Sequence, residues 1–175
     1  TLTIRDGSID ASTVVLGENG GALNAAITLS SLGLSSNSVQ STPLSIDGLT
    51  GSLTVTGATT VMAAEELSSA AFAFPTTAMA IQNSSAAIQF GTIGISSVPA
   101  AGFVTPGFAP TNGGVSNGIV LTGNTGTFSV TGTTTIGQTA RSAITMTNQT
   151  GNVTFNGVAG RARQRYQHHR HGRHL

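Results

Sequence analysis

Hydrophobic residues alternate with polar ones in three closely similar stretches of the chain. The stretches read PLSIDGLTGSLTVTG (43–57), GIVLTGNTGTFSVTG (118–132) and SAITMTNQTGNVTFNG (142–157). Each holds two pairs of apolar residues spaced two apart, with a glycine-containing corner between the pairs. This alternation is typical of a β-strand with one buried face. The pattern therefore predicts two short strands in each stretch, separated by a turn.

Superposing the three stretches aligns their apolar residues in four columns. The interval from the first stretch to the second is three times the interval from the second to the third. A period of roughly 25 residues fits three short strands and three turns, which is one coil of a parallel β-solenoid, or β-helix. We predict that the columns stack as ladders in its interior. The four columns are Leu44, Ile119 and Ile144; Ile46, Leu121 and Met146; Leu53, Phe128 and Val153; and Val55, Val130 and Phe155.

Glycines mark the predicted corners of the repeat. Asn-Gly and Asp-Gly pairs, such as Asn117-Gly118 and Asp47-Gly48, indicate further turns because glycine accepts a positive φ and Asn or Asp tolerates it. The glycines that recur with the columns are Gly51, Gly126 and Gly151 at one corner and Gly57, Gly132 and Gly157 at the next.

An antiparallel sandwich also has short alternating strands and frequent turns, so it remains the alternative architecture. The shared register of the columns and corners favours the solenoid. The repeat is not visible over residues 58–117, although Ile88, Phe90, Ile93 and Ile95 alternate as strands do. We expect 61–74 to form a short helix or an enlarged coil, and 97–114 to form a projecting loop.

Composition supports an all-β chain and sets its last residues apart. Charged residues make up only 7% of the sequence, and Cys is absent. Residues 1–160 carry two Arg against six acids, whereas residues 161–175 carry five Arg and all four His. We therefore divide the chain into a solenoid region, 1–160, continuing into a longer parent chain, and a basic tail, 161–175, which we expect to be disordered.

The tail, RARQRYQHHRHGRHL, has several possible interpretations. It could act as a basic arm for nucleic acid or acidic polysaccharide, or as a His-rich metal trap, although neither signal is specific. A one-base slip of the reading frame explains more, because undoing it returns the Gly, Ala, Val, Thr, Ile and Asn vocabulary of the preceding repeats. We favour this frameshift hypothesis and expect no specific binding of nucleic acid.

Several repeat units resemble those of large bacterial β-strand-repeat surface proteins. The units are GGALNAAITLSSLGL, GLTGSLTVTG, GIVLTGNTGTFSVTG and TGNVTFNGV. The resemblance implies a right-handed parallel β-helix that is secreted or exposed on the cell surface, with an adhesin-like role. It implies no catalytic residues.

Groups able to perform catalysis are few in the body of the chain. A Ser-His-Asp set is excluded because the body has no His, and GENGG at 17–21 lacks the Lys-Ser/Thr of a phosphate loop. The sequence indicates no catalytic, metal or cofactor-binding residue, and calcium binding through aspartates stays open. The ionisable residues are Asp6, Asp10, Glu18, Asp47, Glu65 and Glu66, with Arg5 and Arg141.

The sequence thus favours a structural, adhesin-like, non-enzymatic segment of a secreted or cell-surface bacterial protein. Its expected partners are surface or matrix glycans, held by weak multivalent contacts, and neighbouring repeats of the parent chain. No apolar run is long enough for a membrane-spanning helix. The alternative is a carbohydrate-active β-helix enzyme. Less favoured is an ice-binding solenoid, which regular threonine runs at 54–56, 133–135 and 145–147 would serve.

Overall fold

The computed structural model describes residues 2–4, 7–17, 21–68, 73–100, 109–110 and 114–162. These residues form strands and turns and no helix, and therefore none long and apolar enough to span a bilayer. The strands are β1 (Leu2–Ile4), β2 (Ser8–Ala11), β3 (Val14–Leu16), β4 (Ala25–Leu29), β5 (Ser31–Ser35), β6 (Leu44–Asp47), β7 (Ser52–Ala64), β8 (Leu67–Ser68), β9 (Ala73–Phe74), β10 (Thr77–Gln82), β11 (Ala87–Val98), β12 (Ala109–Pro110), β13 (Val115–Thr122), β14 (Phe128–Thr147) and β15 (Val153–Ala162).

The chain winds as an all-β, solenoid-like stack in which the main sheet is parallel throughout its pairings. Successive coils begin at residues 2, 25, 52, 87, 128 and 153. The first five pass over three faces, and the described part of the sixth passes over the first two. Face A contains β1, β4, the first part of β7, β11 and β14, and the start of β15. Face B contains β2, β5 and the later parts of β7, β11, β14 and β15. Face C contains β3, β6, β10, β13 and the end of β14.

The four apolar columns lie on faces A and C. On face A, Leu53 pairs with Ile88, Ile88 with Phe128, and Phe128 with Val153, while Val55, Phe90, Val130 and Phe155 follow two residues later. On face C, Leu44, Met79, Ile119 and Ile144 form one ladder, and Ile46, Ile81, Leu121 and Met146 form the other. The antiparallel sandwich is therefore wrong for this sheet.

The coil length is not uniform, so the predicted fixed period is not confirmed. Successive register partners on face A are Ile4, Ile27, Leu53, Ile88, Phe128 and Val153. The two coils that run from Leu53 to Phe128 are longer than the others. The interval between Leu44 and Ile119 likewise spans two long coils, through Met79, and not three short ones. Successive coils, or rungs, stack wherever their strands pair. A longer connection at a corner adds little to the entropic cost of closing the loop.

The interior is built from apolar residues that alternate with outward polar ones. Most of the columns are fully buried, and Phe128 contacts both Phe90 and Phe155, with ring centroids 5.8 and 5.4 Å apart. Face B adds a column of mixed character, in which Leu32 and Ile93 accompany the buried threonines Thr59 and Thr134. Each hydroxyl of these two threonines lacks a hydrogen-bond partner.

Small residues are required at two corners of the coil. The first lies between faces C and A, and the second lies between faces A and B. A Cβ at Gly51 would overlap the carbonyl oxygen of Ala25, and one at Gly126 would overlap that of Ala86. Gly151 meets the carbonyl of Gly126 in the same way. These glycines are needed because the backbones of neighbouring rungs approach closely. Gly57 and Gly132 are similarly crowded, whereas a Cβ at Gly157 would meet open space.

Left-handed backbone occurs in a separate column at the end of face C. Gly48, Asn83, Gly123 and Asn148 have φ between 50° and 72°. Asp47-Gly48 is thus a corner of the predicted kind. Asn117-Gly118 is not, since it lies within β13, where Gly118 is buried against the backbone of Ala143.

Polar side chains continue the stack just beyond this left-handed column. The Ser84 hydroxyl accepts from the amide of Leu49, the Asn124 side chain accepts from the amide of Ser84, and Gln149 accepts from the amide of Asn124. Each side chain thereby caps a backbone donor of the preceding coil, as buried donors require. Asn124 and Gln149 occupy equivalent positions in the repeat. This recurrence is the sequence feature from which the ladder could be predicted.

Candidate functional site

The corner between faces B and C, here the B–C corner, carries the largest departures from the regular coil. In the third coil, residues 65–76 separate face B from face C, and in the fourth coil residues 99–114 do so. In the fifth coil the chain turns the same corner without leaving β14. The two long coils are therefore long because of excursions at one corner of adjacent rungs.

The excursions of the two coils pair with each other. Strands β12, β8 and β9 form a small antiparallel sheet, in which Ala109 and Pro110 of the fourth coil pair with Ser68 and Leu67 of the third. Residues of this sheet take part in a satellite apolar cluster, formed by Val39, Ala64 and Leu67, with Phe74 and Ala100 packed against them. Of the two alternatives expected for 61–74, a short helix or an enlarged coil, the described residues 61–68 and 73–74 show the enlarged coil. The expected loop at 97–114 contributes a strand.

An ion pair joins three coils at the B–C corner. The carboxylate of Glu66, in the third coil, is only 8% exposed. It accepts hydrogen bonds from Nε and Nη2 of Arg141, at 3.0 and 3.3 Å, and from the hydroxyl of Ser116 at 2.5 Å. Ser116 belongs to the fourth coil and Arg141 to the fifth, so this network clamps successive rungs.

The backbone holds this network in place from both sides. The amide of Glu66 donates to the carbonyl of Gly114 at 3.0 Å, which ties the excursion of the third coil to the fourth. Ser116 and Thr76 form a reciprocal pair, since the amide of each donates to the hydroxyl of the other, at 2.7 and 3.1 Å. Ser116 is fully buried, and its hydroxyl is thereby aimed at Glu66.

The surroundings of Glu66 favour its charged form. Burial raises the pKa of this carboxyl group, but the hydrogen bonds from Arg141 and Ser116 and the charge of Arg141 lower it. The balance holds the pKa of Glu66 below its ordinary value. The hydrogen bonds to Glu66 and the charge of Glu66 raise the pKa of Arg141. Glu66 is therefore suited to a structural ion pair. It is a poor proton acceptor, because protonation would break its bidentate pair with Arg141.

Among the other described acids, Asp10 and Asp47 lie away from this corner, and Glu65 lies at it. Asp10 lies on face B of the first coil, and Asp47 lies at the end of face C of the second, where Asn83 donates to its carboxylate at 3.0 Å. Glu65 neighbours Glu66 in the chain. Arg5, Asp6 and Glu18 lie outside the described residues. Across the parts of the chain that the structure describes, no group of three His, Cys, Asp or Glu could hold a metal ion.

The three threonine runs do not form one hydroxyl array. Thr54 lies on face A, Thr133 and Thr135 lie on face B, and Thr145 and Thr147 lie on face C. The middle residue of the second run, Thr134, points inward and is buried. Hydroxyl groups are thus distributed around the solenoid, so no single flat surface combines these runs.

The sequence did not predict the pairing of Glu66 with Arg141, which are 75 residues apart. Two signals were available. Arg141 interrupts a threonine-rich strand in a region with only one other arginine, and Glu66 stands in the segment where the repeat is lost. Of the basic tail, residues 161–162 end β15, and residues 163–175 lie outside the described part.

Comparisons of the chain with protein-family models, with curated proteins and with solved structures give no match.

Proposed function

We propose that this chain is a structural, adhesin-like segment of a secreted or cell-surface bacterial repeat protein of the β-helix type. Its principal support is the parallel strand pairing that stacks the interior columns of successive coils. Hydrogen bonds between coils and buried ladders within them give such a stack stiffness along its axis. A segment with a mechanical role needs this stiffness and does not need a reactive centre.

The lateral sheet at the B–C corner is the part that we assign to partner contact. Insertions in solenoid repeats commonly map to one face, which is often the binding face. Here the excursions of two coils meet, and the Glu66–Arg141 pair anchors their base to the following coil. We expect weak, multivalent contacts to surface or matrix glycans through this sheet and the outward hydroxyl groups.

Localisation and glycan binding test this proposal. Antibodies against the full chain should label intact, unpermeabilised cells that express the native gene. The purified chain should bind glycans immobilised at high density and lose that binding when the same glycans are spaced apart. Labelling that requires permeabilisation would overturn the surface assignment.

A carbohydrate-active enzyme is the second candidate, and one observation favours it. Glu66, Ser116 and Arg141 bring an acid, a hydroxyl and a cation together beside an excursion. Glycoside hydrolysis, however, generally uses two carboxylates, about 5 to 10 Å apart. Release of reducing ends or unsaturated products from polysaccharides, abolished by Glu66→Gln, would establish this alternative over the structural one.

A further inference from the structure

The corner between faces C and A, here the C–A corner, carries two aligned columns of turn residues. It comprises residues 48–51, 83–86, 123–127 and 148–152. The first column is the left-handed one, in which glycine and asparagine alternate from coil to coil: Gly48, Asn83, Gly123 and Asn148. Two residues further along, each of these four coils has an exposed hydroxyl residue: Thr50, Ser85, Thr125 and Thr150. Where the first column holds asparagine, the corner therefore reads Asn-x-Ser or Asn-x-Thr.

Asn-x-Ser/Thr is the acceptor sequence for N-linked sugars, and it is modified at the surface of secreted proteins. Three of the ten asparagines in the sequence have a hydroxyl residue two positions later: Asn83, Asn148 and Asn152. Asn83 and Asn148 are both exposed. Asn124, which is buried at the same corner, has glycine at that position and does not fit the acceptor sequence. The acceptor sequence thus accompanies the outward asparagines of the left-handed column and not the inward one.

Backbone conformation separates the third acceptor sequence from the first two. Residues 83–85 and 148–150 lie in turns between strands. Asn152-Val153-Thr154 instead runs into β15, where Val153 packs against the core. A strand holds its backbone extended in ladder hydrogen bonds, whereas a transferase must fit the acceptor sequence into its own active site. We therefore assign no sugar to Asn152.

The glycines of the left-handed column leave space around the asparagines. A Cβ at Gly123 would lie 3.0 Å from Oδ1 of Asn83, so a larger residue there would crowd the Asn83 side chain. Because Gly123 stands between them, Asn83 and Asn148 are two coils apart, which is roughly 9.6 Å at about 4.8 Å per coil. A substituent on one asparagine therefore does not occupy the space of a substituent on the other.

We propose that Asn83 and Asn148 are acceptors for N-linked sugars. The donor is a sugar activated as a diphosphate, carried by a nucleotide or by a lipid. Nδ2 attacks the anomeric carbon of the sugar, and the bond from that carbon to the diphosphate breaks. The diphosphate leaves with the electron pair, and the amide gives up one proton to a base of the transferase. The product amide keeps one N–H, which can donate to the carboxylate of Asp47 as Nδ2 of Asn83 does at 3.0 Å.

Sugars at the C–A corner leave the lateral sheet accessible, because the C–A and B–C corners lie at opposite ends of face C. They also add bulky, solubilising groups to a chain that is only 7% charged. This inference rests on the proposed function, since acceptor sequences of this kind are modified in secreted proteins. It fails separately, because a surface protein can function without sugars.

Intact-mass measurement of the full chain tests the proposal. Chain purified from cells that express the native gene should carry two sugar groups, whereas chain made by cell-free translation should carry none. Peptide fragmentation should locate the groups on Asn83 and Asn148. The mass added at each site distinguishes a single sugar, supplied by a nucleotide donor, from an oligosaccharide supplied by a lipid-linked donor.

Variants of the hydroxyl column test the acceptor sequences while leaving both asparagines in place. Ser85→Ala should remove the sugar from Asn83 alone, and Thr150→Ala should remove it from Asn148 alone. Ser85→Thr and Thr150→Ser should keep both sugars. Thr125→Ala is the matched control, because Thr125 holds the equivalent position in the coil that has Gly123, and it should also keep both. Circular dichroism verifies each fold, and Asn83→Gln and Asn148→Gln replace an alanine variant that unfolds.

An unmodified mass for the chain from native cells would overturn the proposal. Sugars on Asn152 alone, sugars attached to hydroxyl groups, or equal loss of sugar in Thr125→Ala would do the same. Labelling of intact cells reports on the proposed function separately. A labelled but unmodified chain would overturn the sugar sites alone, and a modified chain that labels only after permeabilisation would overturn the surface assignment alone.

Discussion

Arg141 donates two hydrogen bonds to the carboxylate of Glu66, across two coils and 75 residues of sequence. The third coil is thereby tied to the fifth, and Ser116 of the fourth coil donates to the same carboxylate. In a chain that is 7% charged, this pair stands at the corner where the coil is least regular. The pair adds the fifth coil to the hydrogen bonds that already join the third and fourth coils at this corner.

Stability should fall in acid because of Glu66. Its pKa is lowered in the folded chain, so the stabilising contribution is present above the ordinary value of about 4.5 and is lost as the pH falls through the lowered folded value. Since Arg141 is half exposed, we expect a contribution of about 1–2 kcal/mol. Urea unfolding of the wild type and of Glu66→Gln, at pH 7 and below pH 4, measures it.

The variant should be less stable at neutral pH and should lose less stability on acidification. Glu65→Gln is the matched control, because it removes a neighbouring acid without touching Arg141 in the described contacts. Equal pH dependence in the wild type and Glu66→Gln would show that the pair does not stabilise the corner.

Replacing a buried threonine on face B should stabilise the fold. The Thr134 hydroxyl is buried without a partner, as is that of Thr59. Val has nearly the same shape and leaves no polar group unsatisfied, so Thr134→Val should raise the free energy of unfolding by about 1 kcal/mol. Thr135→Val, at the next and exposed position, should change it by less than about 0.5 kcal/mol. A loss of stability in Thr134→Val would indicate that the hydroxyl has a partner in solution.

A single methyl group at a crowded corner should destabilise the stack. Gly126→Ala would press a Cβ against the carbonyl of Ala86 and force neighbouring rungs apart. We expect a cost of about 1–3 kcal/mol, the usual range for overpacking. Gly157→Ala is the control, since it enters open space on the last rung. Thermal unfolding should separate the two, and similar melting temperatures would contradict the close approach of the rungs.

The left-handed corner at Asn148 should prefer glycine to alanine. Asn148 has a φ of 53°, where a Cβ costs about 1 kcal/mol and glycine is unstrained. Asn148→Gly should therefore be at least as stable as the wild type, and Asn148→Ala should be less stable by about 1 kcal/mol. Chemical denaturation of the pair gives the difference directly. An alanine variant as stable as the glycine variant would argue against this backbone conformation.

The alternation of apolar residues by itself determined which side chains share a column. Leu53, Phe128 and Val153 lie in one ladder because strands of a parallel stack pair in register, and the side-chain period of two leaves one face for the interior. The small corner residues follow from the same pattern, as at Gly126, since rungs that stack directly leave no room for a Cβ.

Only the tertiary structure decided how long the chain is between rungs and what holds the long coils together. A corner can be lengthened without disturbing the strands on either side, so strand alternation carries no information on its length. The pairing of Glu66 with Arg141 depends on which corners become neighbours, and that follows from the number of coils between them. Which residue Thr134 meets in the next coil likewise depends on the register shift after Val130, which pairs Thr134 with Val158.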